Sequence, residues 1–250
     1  MLSKNKIKYI QSLDSKKKRK EENAFIAEGH KLVGDLLPHL KCRLIVATTE
    51  WLKQHTDVKA SEVIEVTHEE LTRASLLKTP QEVIGIFEIP TTTFPDDLLH
   101  QSLCLGLDDV QDPGNLGTII RIADWFGIRH IFCSIGTADV YNPKTIQATM
   151  GAIARVQLHY CNLTELLKNN PDIPVFGTFL DGKNMYETEL SNHGLIIMGN
   201  EGKGISQNIE RMVNRKLYIP NYPQGEETSE SLNVAIATGI VCAEFRRRMQ

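Results

Sequence analysis

From residue 103 onward the chain alternates short apolar runs with segments of helical spacing, and few folds accommodate that pattern. Strands are expected at 103–107, 130–134, 156–160, 175–179, 195–198 and 216–219, and helices at 116–126, 143–152, 163–168, 205–213 and 232–248. Such alternation builds an α/β domain with a mainly parallel sheet and helices on both faces. Three segments stand out within it: 115–123 (NLGTIIRIA), 199–206 (GNEGKGIS) and 231–240 (SLNVAIATGI). Each places small residues and a few polar groups where a strand gives way to a helix, so the main chain can approach a ligand closely there.

The residues before 103 read as a smaller α/β domain. A helix is expected at 24–37, strands at 44–47, 63–66 and 83–87, and a second helix at 69–77. Residues 89–98 (IPTTTFPDDL) interrupt the apolar pattern with two prolines and three threonines. Proline cannot donate to a sheet ladder, so the domain boundary is placed there, giving domains 1–97 and 98–250.

Net charge is −3, so the whole molecule does not attract phosphate, and nucleic-acid binding would need a local patch. One is present in Lys16, Lys17, Lys18, Arg19 and Lys20, which read either as a solvated basic terminus or as a contact to an RNA backbone. The five cysteines are scattered without a C-x-x-C pair, as expected of small buried hydrophobes in a reducing compartment. Neither cysteines nor histidines show ligand spacing, so no metal is expected. No apolar run approaches the length of a membrane span, and a cytoplasmic location is expected.

In the first segment, Ile119, Ile122, Ala123 and Phe126 share one helix face, which leaves Arg121 on another with Thr118 and Trp125. Pro113-Gly114 sets a turn, and Asn115 is placed to cap the helix. The second segment, GNEGKG, fits neither G-x-x-x-x-G-K-[ST] nor G-x-G-x-x-G, which argues against a nucleotide-dependent kinase or dehydrogenase. In the third, Ser229 or Ser231 can cap a slender apolar helix, and Asn233 interrupts that surface with an amide that needs partners.

In their order and spacing the three segments resemble the signature motifs of the SpoU (TrmH-like) branch of the SPOUT superfamily. The resemblance covers roughly residues 103–248. It implies a knotted α/β domain that transfers methyl from S-adenosylmethionine to a ribose 2′-hydroxyl of RNA, and a homodimer in which Arg121 of one subunit approaches the cofactor of the other. It also implies catalytic roles for Asn115, Arg121, Glu201, Ser231 and Asn233. Cofactor contacts follow from it at Gly199, Ile219 and Leu232, with Thr178 and Leu180 as further candidates. Residues 25–33 (FIAEGHKLV) are similar to the start of the L30e-like RNA-binding domain that precedes many SpoU enzymes.

Beside such a domain, residues 16–20 are expected to touch RNA, and ribosomal RNA is expected over tRNA because tRNA-specific relatives usually carry helical extensions instead. Two alternatives stay open: a tRNA ribose methyltransferase, and a non-catalytic RNA-binding or ribosome-assembly protein.

Overall fold

The computed structural model describes residues 2–223 and 229–249. The chain divides into two compact units, one of residues 2–91 with 139–155, the other of 92–138 with 156–249. In chain order the first part contains α1 (Lys4–Ser12), α2 (Lys16–Glu22), β1 (Ala24–Glu28), α3 (His30–Leu36), β2 (Cys42–Thr48), α4 (Thr49–Gln54), β3 (Ala60–Val66), α5 (His68–Ala74) and β4 (Val83–Glu88). There follow α6 (Leu98–Gln101), β5 (Leu103–Leu107), α7 (Pro113–Trp125), β6 (His130–Cys133), α8 (Pro143–Thr149), β7 (Gln157–Tyr160), α9 (Leu163–Lys168), β8 (Val175–Asn184), β9 (Gly194–Met198), α10 (Gln207–Glu210), β10 (Arg215–Tyr218) and α11 (Val234–Arg247).

The first unit is built on a mixed sheet of order β1-β4-β2-β3. The helix expected at 24–37 divides into β1 and α3, because Gly29 at φ 106° breaks the run and residues 24–28 pair antiparallel with β4. All five residues of β1 are buried, and so short an apolar run carries too little periodicity to separate strand from helix. Ile10 and Leu13 of the basic N-terminal region are fully buried and pack with Ile26, Leu44 and Val46.

Arg19 departs from the expected RNA-contacting run. It is 2% exposed and donates to the carbonyls of Leu13 (2.8 Å) and Asp14 (2.6 Å) and to Asp139 Oδ2 (2.6 Å). A guanidinium with these commitments is unavailable to a phosphate; Lys16, Lys17, Lys18 and Lys20 remain exposed. The single cut at 97/98 is also modified, since residues 139–155 join the first unit. The Tyr141 ring packs at a tilt on Phe25, centroids 5.0 Å apart, and Gln147 Nε2 donates to the Glu28 carbonyl at 3.2 Å.

The second unit is a six-stranded, entirely parallel sheet of order β10-β8-β9-β5-β6-β7. From β5 the chain proceeds through α7 to β6 on one side, whereas from β9 it proceeds through α10 to β10 on the other. The loops after the neighbouring strands β5 and β9 therefore lead away in opposite directions, and such a switch point opens a crevice at the carboxyl ends of the strands. No helix among the described residues is long and apolar enough to cross a membrane.

At the far edge of this sheet His130 Nδ1 lies 3.0 Å from His159 Nε2. Phe94 and Phe132 also pack on the His159 ring. Burial, reinforced by His130, lowers the His159 pKa from 6.5 to about 4. Between these values the unfolded chain binds more protons than the folded one, so stability is full above the window and falls as pH drops through it. We expect Tm to fall between about pH 7 and pH 4.5, and His159→Gln to flatten that dependence; calorimetric Tm curves that stay parallel for both proteins would contradict this assignment.

Candidate functional site

The crevice between the β5 and β9 loops is closed by main-chain donors and a carboxylate rather than by apolar packing. Glu201, on the loop after β9, accepts from the main-chain N–H of Gln111 (3.2 Å) and Asp112 (3.1 Å) and from Asn115 Nδ2 (3.1 Å). Desolvation pushes the Glu201 pKa up, but the bonds from Asn115 and the main chain outweigh it and hold the carboxyl below its ordinary value. Glu201 is thus a fixed anion with most of its acceptor capacity filled, and it is poorly suited to act as a base.

Asn115 is the middle of a chain of side chains. Its Oδ1 accepts from Asn233 Nδ2 at 3.0 Å while its Nδ2 serves Glu201, so residues from all three sequence segments meet. An amide has two N–H groups and two lone pairs. Asn115 therefore retains one donor and one acceptor for a ligand, in an orientation set from both sides.

The caps differ from expectation in an instructive way. Asp112, not Asn115, caps α7, accepting from the Asn115 N–H at 2.8 Å with Pro113 in the first turn. Asp-Pro is a recognised helix start, because proline's missing N–H is one that the first turn leaves unpaired anyway. Asn233, not Ser229 or Ser231, caps α11 through Oδ1 to Ala235 N (2.9 Å) and Ile236 N (3.3 Å). Asn233 consequently holds the helix start with one end of its amide and Asn115 with the other. Ser231 is exposed and makes no hydrogen bond among the described residues.

Two side chains outside the expected set shape the loops. Asn200 Nδ2 donates to the Asp109 carbonyl (2.7 Å), and its Oδ1 accepts from Gly202 N and Lys203 N. An asparagine flanked by glycine is a recurrent turn-former, so the local turn, though not the tie to Asp109, was legible in GNEGKG. Asp108, 6% exposed, accepts from Ser206 N at 2.7 Å and ties the end of the same loop. Nothing in the local pattern distinguished it from its neighbour. Gly199 is demanded by the loop itself: a Cβ there would lie 2.2 Å from the Gly204 carbonyl carbon.

Of the remaining candidates, Gly199 and Ile219 directly follow β9 and β10, Thr178 and Leu180 lie within β8, and Leu232 precedes the α11 cap Asn233. β8 pairs with β10 at Phe176 and Gly177 and again at Lys183 and Asn184, so residues 178–182, with Thr178 and Leu180, leave the ladder between. The main-chain groups of Gly199, Ile219 and Leu232 carry no hydrogen bond among the described residues, and Leu180 and Leu232 are 78% and 49% exposed. Unpaired main-chain donors and acceptors beside exposed aliphatic side chains are what an adenosine needs, so these residues fit a nucleoside cofactor. Arg121 is exposed and makes no hydrogen bond or ion pair among the described residues; a single chain does not join it to the Asn115 network.

The network gives a direct expectation. Glu201→Gln would set an amide N–H against main-chain donors and release Asn115, lowering kcat by about 10- to 100-fold. S-Adenosylmethionine affinity, measured by calorimetry, should be unchanged; unaltered turnover would contradict the positioning role.

Residues 102–243 match the SpoU rRNA Methylase family, and residues 4–85 match the MRM3-like substrate binding domain. Over 96% of both chains, the sequence is 29% identical to the 23S rRNA (guanosine(2553)-2′-O)-methyltransferase RlmP of Bacillus subtilis. Its structure resembles that of a protein from Porphyromonas gingivalis described under the TrmH family of RNA methyltransferases, with a TM-score of 0.90, 44% identity and 99% of each chain covered. It also resembles an AdoMet-bound rRNA methyltransferase from Sinorhizobium meliloti, with a TM-score of 0.86, 31% identity, and 100% of this chain and 97% of that one covered.

Proposed function

Since the chain belongs to the SpoU rRNA methylase family, we propose that it transfers a methyl group from S-adenosylmethionine to a ribose 2′-hydroxyl of ribosomal RNA. The observation that carries this reading is the hydrogen-bonded chain Glu201–Asn115–Asn233, which draws the three motif segments together. When bound, S-adenosylmethionine supplies a methyl group already activated by its sulfonium. Gly199, Ile219 and Leu232 would hold it through main chain, with Thr178 and Leu180 of β8 as further contacts.

The protein's own task is positioning and charge. Asn115 presents its remaining donor and acceptor, and Glu201 and Asn233 keep it from rotating. Arg121 supplies a cation; a guanidinium has five N–H donors and no acceptor, so it stabilises a developing alkoxide or fixes a phosphate rather than removing the proton.

Arg121 reaches such a site if a second copy covers the face that bears it. α7, which carries Thr118, Arg121, Ile122 and Trp125, packs against α11, which carries Ile236, Gly239, Ile240 and Ala243, with Gly239 close to Ile122; Trp125 and Ile236 are 84% and 58% exposed. An apolar stripe at helical spacing on two packed helices is the surface that a homodimer buries. The reading includes the trefoil knot: after the edge strand β10 the chain returns to pack α11 on α7, as a threaded C-terminal segment requires.

Residues 1–97 serve in this reading as the L30e-like RNA substrate-binding domain, with Lys16, Lys17, Lys18 and Lys20 along the RNA backbone, and residues 98–250, apart from 139–155 in the first unit, as the methyltransferase domain. The location is cytoplasmic. The test is a map of 2′-O-methyl marks in total RNA from cells with and without the gene. One ribosomal position should lose its mark; a lost tRNA mark would move the substrate to tRNA, and an unchanged map with no S-adenosylmethionine binding would leave an RNA-binding protein.

A further inference from the structure

The carboxyl edge of the six-stranded sheet carries the candidate site, yet a cleft of about 840 Å³ opens at the opposite, amino edge. Pro174 and Asn192, just ahead of β8 and β9, line it together with Arg215 at the start of β10 and Arg246 and Arg248 at the end of α11. Five residues of strand at about 3.3 Å each put it roughly 16 Å from the crevice.

The charges there are not balanced. Arg246 donates to the carbonyls of Phe126 (2.6 Å) and Gly127 (3.4 Å), and Arg215 only to the Asn214 carbonyl (3.0 Å); neither has a carboxylate partner among the described residues. Arg248 shares Glu244 with Arg247, and the two arginines, Arg247 foremost, hold that carboxyl down at about 2. Glu189 is the one carboxylate among the described residues lining the cleft.

One cation would satisfy the C-terminal dipole of α11. Three guanidinium groups from two separate segments repel one another, and two of them are held rigid by main-chain carbonyls. Arg248 commits its Nε to Glu244 and both terminal nitrogens to the carbonyls of Thr188, Met185 and Tyr186, so it supplies charge, whereas Arg215 and Arg246 keep N–H groups open, and open guanidinium N–H groups match phosphate oxygens. We propose that this cleft binds the phosphodiester backbone of the substrate RNA, apart from the donor crevice. This inference rests on the reading of RNA as the substrate.

Arg215 is exposed and bonded only to its neighbour's carbonyl, so substituting it leaves the fold intact. A fluorescein-labelled poly(U) oligonucleotide is titrated with the full-length protein over a range of salt. Arg215→Gln should lower the slope of log K against log salt by about 0.7. Arg215→Glu should weaken binding by about tenfold at low salt, with Tm and S-adenosylmethionine affinity unchanged in both variants. Slopes and affinities equal to wild type would overturn the proposal, as would Arg215-dependent binding of inorganic phosphate without any change in RNA binding. An Arg215-dependent slope in a protein that incorporates no methyl would support the cleft while overturning the catalytic reading, so the two failures are distinguishable.

Discussion

Replacing Arg121 with lysine is expected to lower kcat by about 100- to 1,000-fold, the usual cost of removing a preorganised hydrogen-bond donor from a reacting centre. Lysine keeps the charge but not the planar fork that addresses an alkoxide or phosphate oxygen from two nitrogens. Because the side chain is exposed and makes no hydrogen bond among the described residues, Tm should not move. The variant therefore separates a catalytic role from a structural one. Single-turnover methyl transfer from labelled S-adenosylmethionine to ribosomal RNA is the measurement, and near-normal turnover would remove Arg121 from the chemistry.

The second large effect concerns assembly. Trp125 is 84% exposed on the α7 stripe, so changing it to aspartate costs the single chain almost no packing. In a dimer formed through that stripe, the same change would bury a carboxylate among apolar side chains, at a cost of several kcal/mol (about 3 or more). Trp125→Asp is accordingly expected to sediment as a folded monomer with native Tm and to lose methyl transfer, since Arg121 would no longer reach a crevice. A monomer that retains turnover would show that the site is complete within one chain. A dimer that survives the substitution would place the interface elsewhere.

Much of the second unit was legible because its strands are short, apolar and separated by helices of clear period. Strand 103–107 and helix 163–168 are found as expected. The errors have local causes. Residues 24–28 carry four apolar side chains in five and pattern equally well as strand or helix; only pairing with β4 decides. The basic run at 16–20 looked uniformly solvent-facing, yet the fold buries Arg19 against Asp139, a partner far away in sequence that no local pattern announces. Helix 205–213 shortens to Gln207–Glu210, since Ser206 spends its N–H on Asp108 and the residues before it stay in the glycine loop.

The candidate site divides along the same line. The meeting of Asn115, Glu201 and Asn233 was foreshadowed by motif spacing, because each sits where a strand or loop hands over to a helix. The loop-fixing roles of Asn200 and Asp108 depend on tertiary contacts of about ninety residues' separation, which single-sequence spacing does not encode. Arg121 illustrates the remainder: its place on an exposed helix face was readable, but among the described residues of a single chain it meets no hydrogen-bonding partner.

Mixing Arg121→Ala protein with Asn115→Ala protein tests that dependence most directly. Each variant alone should be inactive, because every site lacks either the cation or the oriented amide. If the guanidinium of one copy serves the crevice of the other, random exchange makes half of the dimers mixed, each with one complete site, and restores about a quarter of wild-type methyl transfer. If the mixture stays as inactive as its components while the subunits demonstrably exchange, Arg121 does not act across the dimer and the central claim fails.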